Sequence, residues 1–379
     1  MRTEQFSIIS GREIEDEFSF TPDLILLFVS SKFQNLESIK IFRDLYPDAV
    51  ITGCSTAGEI EDIAVHDSTI MVTGVKFDKS NVEYNEVYIP SVNKSRQAGT
   101  ELIEKFQQEG LRHLFVLCDG INVNGEDLVN GLKHQSDQKY GITGGMAADG
   151  TKFKNTFVIT NDLEIKENMM VGIGFYGDDL KVGYGALGGW DSFGVDRIVT
   201  KAHKNIIYEI DGEPVLDLYK NFLKEQARNL PASGLLFPLS VRDKATDKPV
   251  VRTLKAVNEQ DKSITFIGDV KEGAVVRLMK ANIERLINAA EGAAELSIES
   301  IGNTHTDLSI LISCVGRRMV LNQIIDEEVE AVRDVVGEDA IISGFYSYGE
   351  ISPLMSGSKC ELHSQSMSIT SFSESDIDD

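Results

Sequence analysis

The chain of 379 residues contains no run of about 18 consecutive apolar residues, the length a helix needs to cross a bilayer. Its opening stretch, MRTEQFSIISGREIEDEF, lacks the apolar core of a signal peptide. These two absences predict a cytoplasmic protein. Cysteine is sparse: Cys54, Cys118, Cys314 and Cys360 are the only four, and no two form a C-x-x-C pair. That excludes a zinc knuckle or a thioredoxin-type motif and fits a reducing compartment. The six histidines include no H-x-x-x-H or H-E-x-x-H spacing, which speaks against a metal site built from side chains. Positive charge is also short, with 37 Lys and Arg against 60 Asp and Glu, a net charge of −23. Such a surface repels phosphate backbones and anionic lipid, so neither nucleic acid nor membrane insertion is expected.

One short pattern occurs three times. ITGCSTAGEI begins at Ile51, ITGGMAADGT at Ile142 and ISGFYSYGEI at Ile342. Each opens Ile, then Thr or Ser, then Gly; the first and third also share Gly58-Glu59-Ile60 and Gly349-Glu350-Ile351. Upstream of each lies a continuous apolar run, DLILLFVSS (23–31), HLFVLCDG (113–120) and LSILISCVG (308–316), of the kind that forms strands buried on both faces. Between run and loop the apolar residues recur at helical spacing: Leu36, Ile39, Phe42 and Leu45; Leu128, Val129 and Leu132; Ile325, Val329, Val332 and Val336. A further β-rich run follows each loop, at 68–77, 168–177 and 363–372, and the first two copies add another at 82–90 and 180–190, which suggests hairpins with the preceding strands. The fold class predicted is α/β: mixed sheets with flanking helices, built from duplicated strand–helix–strand–glycine-loop units. A chain of this length favours two domains. The first is placed at 1–225, with repeat units at about 20–90 and 110–190, and the second at 226–372. Residues 373–379, rich in Ser and acids, are expected to be a disordered tail. A helix is expected over 211–226, and strands over 249–257, 263–270 and 273–279.

The loops resemble neither a P-loop nor G-x-G-x-x-G, and β-rich runs follow them where a phosphate loop would open a helix. Cys118 and Cys314 stand at equivalent strand ends, where α/β folds place ligands. As nucleophiles they need a base, and His113, His203, His305 and His363 are the candidates; as small apolar residues they need nothing. Glu59 and Glu350 read either as a carboxylate pair or as acceptors for loop amides. Arg317, next to Arg318 at a strand end, suits an anionic ligand or the abundant surface acids, and Arg252, in mid-strand, points to a pocket, an edge or solvent. Trp190 reads as a core or lid residue.

The blocks GCSTAGEI, GGMAADG, GGWDSFGVDRIVTKAHKNIIYEIDGEPVLDLY (188–219), VVRTL, GDVKEGAVVRL, SCVGRR and GFYSYGEI occur in order along most of the chain, and together they resemble the FIST family of signal-transduction proteins. The resemblance implies an N-terminal and a C-terminal FIST domain and a sensory role: a small ligand, with amino acids or small acids suggested, and output to a histidine kinase or a cyclic-nucleotide enzyme such as a diguanylate cyclase. No output domain accompanies the two FIST blocks here, so a separate partner is expected. Some relatives bind haem and sense nitric oxide; His203 is the candidate axial ligand for that alternative. No cofactor is expected otherwise. Family members often read Asn-Gln-Thr after Leu-His, whereas this chain reads Ser364-Gln365-Ser366 after Leu362-His363. The ligand is expected in a cleft between the domains, with Gly53, Cys54, Glu59, Cys118, Gly144, Gly145, Arg252, Cys314, Arg317, Gly349 and Glu350 as its candidate residues. A thiol- or carboxylate-dependent enzyme and a pure interaction scaffold are the remaining readings.

Overall fold

A computed structural model describes residues 1–9, 17–33, 37–133, 140–243 and 249–374. It is α/β with mixed sheets, as the periodicities predict. Three six-stranded sheets carry the three repeats. In strand order the first is Arg2–Ile9, Thr69–Lys76, Leu24–Ser30, Val50–Thr56, Val158–Ile159 and Ile165–Lys166. The second is Asn81–Tyr88, Met169–Tyr176, Leu111–Cys118, Gly141–Met146, Glu350–Ser352 and Glu361–His363. The third is Lys181–Leu187, Met367–Ser373, Leu308–Cys314, Ile341–Ser347, Glu59–Glu61 and Ala64–His66. In each, the two strands flanking the repeat's helix are parallel, and the strand after the loop runs antiparallel beside them.

The expected hairpins do not form. Strand Asn81–Tyr88 pairs with Met169–Tyr176 rather than with the strand before it, and Lys181–Leu187 pairs with Met367–Ser373. Each thus opens the next repeat's sheet. The strands that follow the glycine loops are exchanged as well. Glu59–Glu61 from the first loop joins the third sheet, Val158–Ile159 from the second joins the first, and Glu350–Ser352 from the third joins the second. The exchange is cyclic, and each transferred strand covers an edge that would otherwise expose unpaired N–H and C=O groups.

Apolar side chains of all three sheets fill the space between them; Phe28, Cys54, Phe115, Leu117, Ile312, Phe345 and Phe372 are at most 1 % exposed. The helices Ser95–Glu104 and Gly125–Leu132 pack as a pair on the second repeat, and Ile283–Ser300 and Asp326–Val336 on the third. The helix expected over 211–226 is α-helical at Val215–Leu223 and tightens to a 3₁₀ segment at Lys224–Asn229.

Between the second and third repeats lies an antiparallel barrel. Strands Arg197–His203, Ile206–Ile210, Ser263–Ile267, Val250–Asn258, Leu239–Arg242 and Val275–Lys280 pair in that order, and the last returns to the first. Helix Val215–Leu223 contributes Val215, Leu216, Tyr219 and Leu223 to its apolar core. The closed ring takes strands from both sides of residue 225, so a division there cuts through a hydrogen-bonded sheet. At the C-terminus, Ser373 ends a strand and Glu374 is buried, accepting hydrogen bonds from the amides of Asp78 and Lys79. Residues 375–379 and Leu36 lie outside the described residues.

Candidate functional site

The repeated loop is where the sequence points, and its shared residues serve the architecture. A Cβ on Gly53 would lie 1.8 Å from the carbonyl oxygen of Leu27, on Gly144 1.9 Å from that of Val116, and on Gly344 2.0 Å from that of Leu311. Each glycine thus presses against the parallel strand of its own repeat. The neighbouring hydroxyl reaches another repeat: Thr52 donates to the Ile159 carbonyl at 2.7 Å, Thr143 meets Thr370 at 2.8 Å, and Ser343 meets Thr73 at 2.7 Å. Gly145 faces Ile312 and Phe345, and Gly349 faces Met146. Cys54 belongs to the apolar centre.

The two glutamates are buried hydrogen-bond acceptors. Glu350 accepts from Ser347 Oγ at 2.8 Å, Ser366 Oγ at 2.8 Å and the Ser366 amide at 3.2 Å. Glu59 repeats the arrangement with Thr56, Thr69 Oγ1 and the Thr69 amide. Burial outweighs these bonds and pushes both carboxyls up to about 7. In the second repeat Ala147 and Gly150 occupy the matching loop positions, and Asp119, which follows Cys118, supplies the carboxylate instead. It accepts from Thr156 Oγ1 at 2.9 Å and from the amides of Asn168 and Ile121, both at 2.7 Å. The three repeats therefore share a carboxylate, a hydroxyl and the amide that starts the returning strand. Sequence alignment of the loops shows only two of the carboxylates.

Arg317 is wholly buried. Its guanidinium donates to Glu328 at 2.6 and 3.0 Å and to the carbonyls of Gly188 and Leu286 at 2.6 and 2.7 Å. A ligand would have to displace these partners, so Arg317 stands behind any binding surface. Arg252 donates to Glu126 at 2.9 Å and to the Asp269 carbonyl at 3.1 Å, which joins the barrel to the helix Gly125–Leu132. Lys204–Asp127 at 3.1 Å, Asn124–Asp269 at 3.3 Å and Lys255 on the Ile121 carbonyl at 2.8 Å complete this seam. Burial lowers the pKa of Lys255. Beside it Phe153 stacks on Tyr348, centroids 4.2 Å apart. About 330 Å³ of empty space remains in the seam, nearly all in gaps too thin for a ligand.

All four thiols are buried, and burial raises the pKa of each, so they are protonated and inaccessible. Cys118 and Cys314 pack in the apolar interior. His113 is buried against Thr143 at 2.7 Å, and His305 lies 3.7 Å from Asp307. His66, on the hairpin of strands Glu59–Glu61 and Ala64–His66, lies 3.1 Å from Glu61. His203 is exposed at the end of a barrel hairpin. Among the described residues no group of three or more His, Cys, Asp and Glu is arranged to hold a metal. Trp190 is buried, its Nε1 donating to the Gln365 carbonyl at 3.0 Å.

A hollow between barrel and core opens beside the start of strand Val250–Asn258. It holds about 1270 Å³ of empty space, counted to its open mouth. Pro249, Val250 and Val251 form the barrel wall, and Ala186, Leu187 and Gly188 come from the third sheet's first strand and the turn after it. Leu354, Leu362, His363, Ser364 and Ser366 form the remaining wall, with Ser358, Lys359 and Glu361 also lining it. His363 Nε2 is 2.8 Å from the Ser352 carbonyl, and burial lowers the His363 pKa, so the ring is neutral. Of the candidate residues, Glu350 stands directly behind this cavity through Ser366, and Arg317 through Gly188. The loop Ser364-Gln365-Ser366 is fixed by Gln365, whose backbone is left-handed (φ 64°) and whose Nε2 donates to the Leu235 carbonyl of the barrel side at 2.8 Å.

Two family models match the chain, the FIST N domain over residues 23–213 and the FIST C domain over 216–353. The chain belongs to the FIST family. That places it among sensory signal-transduction proteins. An uncharacterised protein of Methanocaldococcus jannaschii is 23% identical over 369 residues, covering 86% of this FIST chain and 69% of the relative. A cyanuric acid hydrolase from A. caulinodans superposes over 98% of this chain and 99% of its own, with a TM-score of 0.36 and 6% identity, a likeness too low to bear on fold or function. No helix among the described residues of the FIST protein is long and apolar enough to cross a membrane.

Proposed function

We propose that this FIST protein is a cytoplasmic sensor that binds a small molecule in the cavity between the barrel and the third repeat. It reports occupancy to a separate partner, such as a histidine kinase or a diguanylate cyclase. The observation that carries this reading is the cavity's composition: three chain segments distant in sequence, around 186–188, 249–251 and 354–366, meet there, with apolar walls and a few polar groups. A ligand touching all three senses how the barrel sits on the core. It shifts that arrangement to the extent that it prefers one position over another. Strand Val250–Asn258 runs from the cavity wall through Arg252 to Lys255, so a movement of Val250 reaches the polar seam through one strand.

The test is a thermal-shift screen of the purified protein against amino acids, small acids, amines and alcohols, repeated with Val250→Trp, which fills the cavity. A hit that stabilises the wild type and loses its effect in the variant supports the reading. A hit that is unaffected by Val250→Trp places the ligand elsewhere.

A further inference from the structure

The polar atoms of the cavity's inner wall accept hydrogen bonds more readily than they donate them. The Ser352 oxygen is a carbonyl and can only accept, so His363 Nε2 carries the proton of that 2.8 Å bond and Nδ1 is a bare lone pair. Nδ1 has no hydrogen-bond partner among the described residues, and His363 lines the cavity. The Ser366 hydroxyl donates to Glu350, which leaves its lone pairs for a ligand. The cation of this wall, Lys359, is on an exposed residue, and Glu361, also exposed, opposes its charge. The rest is aliphatic.

From this we infer that the cavity takes a small molecule presenting a hydrogen-bond donor, a hydroxyl or an amine, on an apolar body, and discriminates against carboxylates. The donor end meets His363 Nδ1, and the apolar body lies along Val250, Val251, Leu354 and Leu362. A carboxylate in the same place would set its lone pairs against that of Nδ1 and give up water for a wall whose cation, Lys359, is opposed by Glu361. The inference rests on the reading that this cavity is the ligand site.

Matched probes separate the two claims: benzyl alcohol, benzylamine and benzoate, each titrated at millimolar concentration and followed by NMR on the full chain. The expected result is saturable binding of the alcohol or the amine, with benzoate at least about tenfold weaker, the scale of one lost hydrogen bond. His363→Phe should weaken the donor probes about tenfold, and His363→Asn, which keeps an acceptor oxygen, should weaken them less. Circular dichroism checks that both variants fold. Benzoate binding as tightly as the alcohol and amine, no saturation by either donor probe, or His363→Phe leaving their affinities unchanged overturns the donor class. Binding that survives Val250→Trp overturns the cavity reading instead.

Discussion

Gly53 shows how a residue that looks functional in sequence can be required by packing alone. The atom its Cβ would strike is a backbone oxygen, which cannot swing aside. Gly53→Ala should therefore destabilise the protein by about 3 kcal/mol or more, measured by chemical denaturation. Glu350 gives a prediction with a sign. Its folded pKa, near 7, is raised above an ordinary carboxyl value, so the fold binds its proton more tightly than the unfolded chain does. The stability this contributes is full below about pH 4.5 and is lost as pH rises through 7, by about 3 kcal/mol in all. Glu350→Gln removes the titration. The stability advantage of wild type over the variant should shrink between pH 5 and pH 8; a constant difference contradicts the raised pKa. Arg317 is the third case. Removing it leaves Glu328 buried without its cation, and Arg317→Met should cost about 3–5 kcal/mol, with much of the loss recovered when Glu328 is replaced by Leu as well. If Arg317→Met is nearly neutral, the ion pair is not the structural element described.

At the scale of elements, the sequence identifies strands and helices better than it identifies their partners. Apolar runs at 23–31, 113–120 and 308–316 and the helical spacing before each loop correspond to observed elements because burial on both faces, or on one stripe, leaves a period in the chain. Pairing leaves no such mark. Asn81–Tyr88 alternates like a hairpin strand, yet it joins the second repeat's sheet. The cyclic transfer of Glu59–Glu61, Val158–Ile159 and Glu350–Ser352 is equally invisible, since strand period says nothing about which edge is vacant. Asp119 was hidden for a related reason. Its role in the second repeat is filled in the others by Glu59 and Glu350, which sit after the loop rather than after the preceding strand. In sequence His363 is one of four candidate bases for the thiols and sits in a family block; its use as an acceptor follows from the Ser352 carbonyl, brought beside it by strand pairing. The thiols follow the same logic. Cys118 and Cys314 stand at strand ends in sequence, but those ends are interior. Labelling with a thiol reagent should be slow under native conditions at all four cysteines and complete on unfolding.

For the whole molecule, the exchanged strands tie three repeats into one cooperative core, and the barrel is built from chain on both sides of residue 225. A fragment of residues 1–225 lacks strand Glu350–Ser352 of the second sheet and strands Leu239–Arg242, Val250–Asn258, Ser263–Ile267 and Val275–Lys280 of the barrel. Such a fragment should not fold alone, as judged by dispersion of its NMR spectrum, and should be rescued by co-expression with 226–379. The cavity belongs to this scale too. Its walls are set by how barrel and core meet, which no local window of sequence contains. The proposed small-molecule site is that meeting place. Methyl NMR of the full chain during a ligand screen reads it out. A binding compound should perturb the methyls of Val250, Val251, Leu354 and Leu362 first and most strongly. Largest shifts in methyls remote from that wall, with these four unmoved, would contradict it.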